Sequence, residues 1–202
     1  MAASVKTAPC LPETKAEKKP IPPEKRKDVT VDELEKMSLP YPAELYDGKV
    51  VPKLANIEHG LIQTNLIRKI GLYLDDNPVG FVITDTNFRL WSDRPRESRI
   101  PDVCFISKER MPKDLRRFPA MSPDLAIEVV SPDDSFAKVM DKVDAYLQQG
   151  SRIVLLVFPT TREVLICTPE EKRSVRDVLS LPDLLPNFKL KIEDIFMGIK
   201  SE

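Results

Sequence analysis

A glutamate stands in the middle of an otherwise apolar run, Leu125-Ala-Ile-Glu-Val-Val130, and no other feature constrains the fold as much. A strand with apolar residues on both sides is read as buried on both faces, and an ionised carboxylate there is costly unless it is compensated. Two kinds of compensation are open. A divalent cation shared with another carboxylate is one; an Arg or Lys held in a structural ion pair is the other. Asp102, preceded by Pro101, is the candidate second carboxylate. With Glu128 it forms an oxygen-only pair that leaves positions for water and phosphate, the arrangement that suits Mg²⁺.

Composition narrows the chemistry further. His59 is the only histidine of 202 residues, so multi-histidine metal sites are excluded, and Ser-His-Asp or Cys-His catalysis could be built only around that residue. Catalysis therefore leans on carboxylates and lysine. Cys10, Cys104 and Cys167 are widely spaced, without paired metal-ligand spacing. With no signal peptide ahead of them, a reducing cytoplasm is the expected location. No apolar stretch reaches the roughly 18–20 residues of a membrane span. Net charge is −1, and residues 1–28 carry seven Lys and Arg against four acids, so the rest of the chain is acidic. Any nucleic-acid contact must come from local basic patches.

Two parts are expected. Residues 1–28 are rich in Pro, Lys and Glu, lack aromatics, and read as a disordered tail; residues 29–202 read as a single domain. Within the domain, Thr30 and Glu33 have capping-box spacing ahead of a short helix. Asp47-Gly48 marks a hairpin between Glu44 and Val51. Apolar residues at 62, 66, 70, 73 and 74 predict an amphipathic helix over about 58–76. Strands are expected at 79–84, 87–91, 101–106, 125–130, 153–158 and 163–167, with a helix over 135–149 stopped by Gly150. The strand, helix, strand order around 125–158 implies a right-handed crossover to a parallel neighbour. Residues 175–196, rich in Leu and Pro, are expected to form short helices that pack on the sheet. The helix over 135–149 has an apolar stripe of Phe136, Val139, Met140, Val143, Tyr146 and Leu147. Lys142 flanks that stripe, from where a long side chain can reach over the sheet edge to the carboxylates.

The stretches Ile100-Pro-Asp-Val-Cys-Phe-Ile106, Pro123-Asp-Leu-Ala-Ile-Glu-Val-Val-Ser-Pro132 and Asp141-Lys-Val-Asp-Ala-Tyr146 with Gly150 resemble the Uma-two family of predicted restriction endonucleases, a branch of the PD-(D/E)XK nuclease superfamily. The likeness extends to Glu44-Leu-Tyr-Asp-Gly48, His59-Gly60, Leu185-Pro-Asn-Phe188 and Ile195-Phe196, and so covers about residues 30–197. It implies an α/β (α+β) fold with a restriction-endonuclease-like mixed central sheet flanked by helices. It also implies that Asp102 and Glu128 bind Mg²⁺, for which Mn²⁺ can substitute. The superfamily lysine usually stands two residues after the glutamate, where this chain has Val130; the resemblance moves that role to Lys142. The implied partner is DNA, and cutting both strands would call for a symmetric pair of chains.

Two departures stand out. Phe158 occupies the place of a family acid, and Asn187 that of a glycine. Secondary candidates are Glu44, as a further metal carboxylate or a surface hairpin residue, and His59, as a phosphate contact or a capping and packing residue. Arg94, Arg96 and Arg99, with Lys108, Arg110, Lys113, Arg116 and Arg117, bracket the Asp102 strand as phosphate contacts or as solvated charge. The expected function is metal-dependent hydrolysis of DNA phosphodiester bonds. The alternative is a catalytically inactive nuclease-fold module that binds nucleic acid or a protein.

Overall fold

The computed structural model describes Pro22 and residues 25–200. Most of the expected tail therefore lies outside the described residues; at its end, Arg26 pairs with Asp28 and Glu33. Thr30 caps the four-residue helix α1 (Val31–Leu34) through a complete capping box with Glu33. The Asp47-Gly48 turn takes positive φ at both residues and joins β1 (Ala43–Tyr46) to β2 (Lys49–Pro52). Glu44 pairs with Val51 and Lys53 follows two residues after Val51, so both lie on one face at the open end of the hairpin. Helix α2 (Ile57–Asp76) is capped by the Asn56 side chain and buries Ile62, Leu66 and Ile70.

The central sheet has six strands in the order β3 (Gly80–Thr84), β4 (Val103–Ser107), β5 (Leu125–Val129), β6 (Ile153–Phe158), β7 (Glu163–Cys167) and β8 (Lys172–Val175). All pairs are antiparallel except β5 and β6, which run parallel across the crossover helix α3 (Phe136–Gln148). Every residue of β5 is buried, as its apolar run requires. On one face α2 packs with Val103, Phe105, Leu125, Ile127 and their neighbours. On the other, Val139, Val143 and Tyr146 of α3 pack on Cys104, Ala126, Val154 and Leu156. The result is the mixed sheet flanked by helices that the family resemblance implied.

Two expectations fail. Residues 87–91 form no strand: Phe88 is fully buried, but only an isolated bridge to Arg99 pairs this segment. The run is apolar because it packs against α3's side of the core, not because it joins the ladder. The region after 175 is mostly sheet, with β9 (Val178–Leu181) and β10 (Leu185–Lys191) forming a separate hairpin before the four-residue helix α4 (Ile192–Ile195). Leu179 and Leu181, with Leu185, Phe188 and Leu190, supply one apolar face that covers the α2 side of the core. A register shift between Leu185 and Lys189 is accommodated at Asn187, whose φ is 65°, the left-handed conformation that a glycine would otherwise supply.

Buried Asp124 ties the connection before β5 to the end of β4. It accepts from the Ser107 amide at 2.8 Å, the Ser107 hydroxyl at 3.0 Å and Arg110 at 2.9 Å. Burial opposes its ionisation, but these donors outweigh that and hold its carboxyl below the usual aspartate range. A carboxyl depressed by folding stabilises the native state above its unfolded pKa, and that contribution is lost as pH falls through the folded value. Asp124→Asn is therefore expected to cost about 1–3 kcal/mol at pH 7. The gap from wild type should narrow below pH ~4; urea unfolding at both pH values measures it.

Candidate active site

Asp102 precedes β4 and Glu128 lies in β5. Extending the β4–β5 register, in which Val103 faces Ile127, by one residue sets Asp102 across from Glu128. Cross-strand partners in an antiparallel pair point to the same side of the sheet, and here that is the side α3 covers. Asp102 is 1% exposed and Glu128 6%. Lys142 and Tyr146, one turn apart on α3, both reach Glu128: Lys142 Nζ is 3.3 Å from Oε2, and the Tyr146 hydroxyl donates to Oε1 at 3.0 Å.

The hairpin contributes a third carboxylate. Glu44 is buried rather than a surface hairpin residue. It accepts from the Ile100 amide at 2.8 Å, the Tyr46 hydroxyl at 3.1 Å and Lys142 at 3.2 Å. Asp102 Oδ2 accepts from the Val129 amide at 2.7 Å. Its Oδ1 is approached by Gln63 at 3.4 Å and lies 3.0 Å from His59 Nε2. His59 and Gln63, four apart, share a face of the first turns of α2, so His59 reaches the site from a helix whose cap is Asn56.

Sequence reasoning missed Lys53, which stands directly after β2. Its Nζ lies 3.0 Å from Asp102 Oδ1 and 3.2 Å from Glu128 Oε2, bridging the two carboxylates, and it also donates to the Ile100 carbonyl. A single lysine after a short strand carries no periodic signal; only hairpin pairing brings it here. Tyr146 stood in the apolar stripe and in one of the stretches that carry the family resemblance, with no role of its own.

Three carboxylates thus face two ammonium groups, and one negative charge is left over when all are ionised. Burial pushes Asp102 up, but the His59 contact, Lys53 and the Val129 amide prevail and hold it at about 2. Glu44 is likewise held below its ordinary range, because Lys142, Lys53 and the Ile100 amide outweigh its burial. Glu128 goes the other way: burial, with Asp102 and Glu44 nearby, raises it against the pull of the two lysines. Burial disfavours the Lys142 ammonium, yet Glu128 and Glu44 raise its pKa and keep it charged.

The donor set fits a hard divalent ion in a limited sense. Among the described residues no group of three or more His, Cys, Asp or Glu side chains could hold a metal. The fit is to the Asp102–Glu128 pair, whose oxygens already share one cation, Lys53 Nζ. Mg²⁺ is commonly held by one or two carboxylates, with water and phosphate oxygens completing its shell. Both Glu44 oxygens are engaged by Ile100, Tyr46 and Lys142, which leaves Glu44 to orient Lys142.

A groove of about 540 Å³ opens on the site, with Glu44, Glu128 and Lys142 at its floor and Lys49 and Lys138 among its lining. Much of the basic set around the Asp102 strand is already engaged: Arg96 with Asp47, Arg99 with Glu97, Arg110 with Asp124 and Arg117 with Glu35. Arg99 is further held over the Tyr46 ring at 3.8 Å. Phe158 ends β6 and packs in the core on the α3 side.

The family described as "Putative restriction endonuclease", Uma2, matches residues 31–193, which include every residue of this cluster. The chain belongs to the Uma2 family. Membership supports a nuclease function, and a restriction-endonuclease family implies DNA as substrate. Among solved structures, the Uma2 chain is similar to a protein described as a putative nuclease belonging to DUF820 from Anabaena variabilis, at 23% identity and a TM-score of 0.69. The match covers 83% of the Uma2 chain and 97% of the other, and shows that the two share a fold. No curated protein matches. Among the described residues no helix is long and apolar enough to cross a membrane.

Proposed function

We propose that this Uma2 protein is a Mg²⁺-dependent DNA endonuclease in which Asp102 and Glu128 hold the metal. The observation that carries the reading is that these two buried carboxylates converge on one cation position beside an open groove. Bound there, Mg²⁺ supplies Lewis acidity toward a phosphate and makes water a better nucleophile near neutral pH. Lys142, fixed between Glu44 and Glu128, points its charge at the groove floor and stabilises charge that builds on the phosphate. Tyr146 and the Val129 amide orient Glu128 and Asp102. Lys49 and Lys138 supply phosphate contacts at the groove wall. Cutting both strands of a duplex calls for two such sites, hence a symmetric pair of chains.

A second reading, a nuclease-fold protein that binds nucleic acid without cutting, is favoured by Lys53, which already compensates the two carboxylates, and by Phe158 at the end of β6. The experiment that separates the two is incubation of the purified chain with supercoiled, linear and single-stranded DNA in Mg²⁺ or Mn²⁺, with EDTA controls. Metal-dependent nicking or linearisation that EDTA abolishes is the expected result. Retention of DNA without cleavage in either metal would move the assignment to the binding module.

A further inference from the structure

We propose that Lys53 is the resident counter-cation of the metal position, held between Asp102 and Glu128 in the metal-free protein and displaced when a divalent ion enters. The inference rests on the metal-site reading above and adds to it the residue that sets metal affinity.

Three observations carry it. First, Lys53 Nζ sits where a shared ion would sit, 3.0 Å from Asp102 Oδ1 and 3.2 Å from Glu128 Oε2. Nζ donates to Glu128 Oε2 and to the Ile100 carbonyl and is ion-paired with Asp102, so the ammonium is held from three sides. Lys142, by contrast, bridges Glu44 and Glu128, and so flanks this position without filling it.

Second, the Lys53 ammonium fills the space between the two carboxylates. Glu44, Glu128 and Lys142 line the groove, whereas the Asp102 side chain is 1% exposed, is not part of that lining, and is in contact with Lys53, His59 and Gln63. An ion touching both carboxylates has to take the volume of the ammonium. Were Lys53 to stay, a dication and two ammonium groups would crowd the same three carboxylates, and like charges at such separations repel strongly in a buried setting.

Third, the lysine has somewhere to go. Its backbone is anchored by a hydrogen bond from its amide to the Pro42 carbonyl, but the chain that follows, residues 53–56, has no helix or strand, and Leu54 is 78% exposed. A four-carbon stem can swing the ammonium from the carboxylates into water without moving the hairpin.

The test is calorimetric titration of MnCl₂ into the full chain, comparing wild type with Lys53→Met, Asp102→Asn and the double variant. Removing the competing cation is expected to tighten Mn²⁺ binding at least about tenfold, and the gain should vanish when Asp102→Asn is added. Lys53→Met should also melt lower than wild type without metal and recover more on adding Mn²⁺, since Asp102 and Glu128 lose the cation they share until the ion arrives. Lys53→Gln serves in place of Lys53→Met if that variant does not fold, and Lys53→Arg, which keeps the charge, should bind near the wild-type affinity. Equal or weaker binding by the neutral variants, while wild type binds and Asp102→Asn does not, overturns the competitor role and leaves the metal site standing. Folded wild type and neutral variants that all fail to bind Mn²⁺ overturn the metal reading and this proposal together.

Discussion

Asp102→Asn is expected to lower metal-dependent DNA cleavage at least about 10²-fold, the scale on which losing one preorganised charged group slows a hydrolytic site. The change is nearly isosteric, so the effect lies in charge and proton inventory rather than shape. In the wild type, Oδ2 accepts from the Val129 amide, while Oδ1 faces the Lys53 ammonium and Gln63. Both sides therefore present donors to a group that only accepts. An asparagine amide must turn its NH₂ toward one of them, setting donor against donor in a site that is 1% exposed. A loss of about 1–3 kcal/mol in stability should accompany the loss of cleavage. Plasmid nicking and urea unfolding of the same preparation separate the two effects. An exposed acid such as Asp76, changed to Asn, should alter neither. Wild-type cleavage retained by Asp102→Asn would remove Asp102 from the reaction.

Lys142→Met should be the most destabilising single change at the site, by about 3 kcal/mol, because it strips the ammonium that Glu44 and Glu128 share and leaves buried carboxylates with less compensation than they need. Glu44 would keep the Ile100 amide and the Tyr46 hydroxyl, and Glu128 would keep Tyr146 and Lys53. These neighbours limit the loss to part of what an isolated buried charge would cost. Millimolar Mg²⁺ is expected to restore some of the lost stability without restoring cleavage, since an ion can replace the missing charge in the ground state but not the lysine's position at the groove floor. The midpoint of urea unfolding with and without Mg²⁺, set beside the nicking rate, measures this. Full stability of Lys142→Met in metal-free buffer would show that the lysine is not needed to hold the two glutamates.

Much of the molecule was legible before its structure. Helix α2 announced itself through the spacing of Ile62, Leu66 and Ile70, and β5 through an unbroken apolar run, because each element buries a face whose period the chain must repeat. Capping at Thr30 and the turn at Asp47-Gly48 were equally local, decided by side chains and backbone within four residues. Misreadings arose where burial and pairing part company. Phe88 is fully buried yet has no ladder, and the β9–β10 hairpin alternates too irregularly around Asn187 to declare itself as sheet.

What the sequence determined by itself was the presence of a charge that needed a partner: Glu128 inside β5, with Asp102 just ahead of β4 and Lys142 midway along α3 as candidates. Only the tertiary structure decided which partners it has. The β4–β5 register sets Asp102 opposite Glu128, the β1–β2 pairing brings Glu44 and Lys53 out together, and the turn of α3 adds Tyr146 to Lys142. Local sequence patterns encode which face of an element is buried, because that depends on residues a turn or a pleat apart. Which charges meet in the middle depends on residues such as Lys53 and Glu128, 75 positions apart, and on nothing that either segment carries alone.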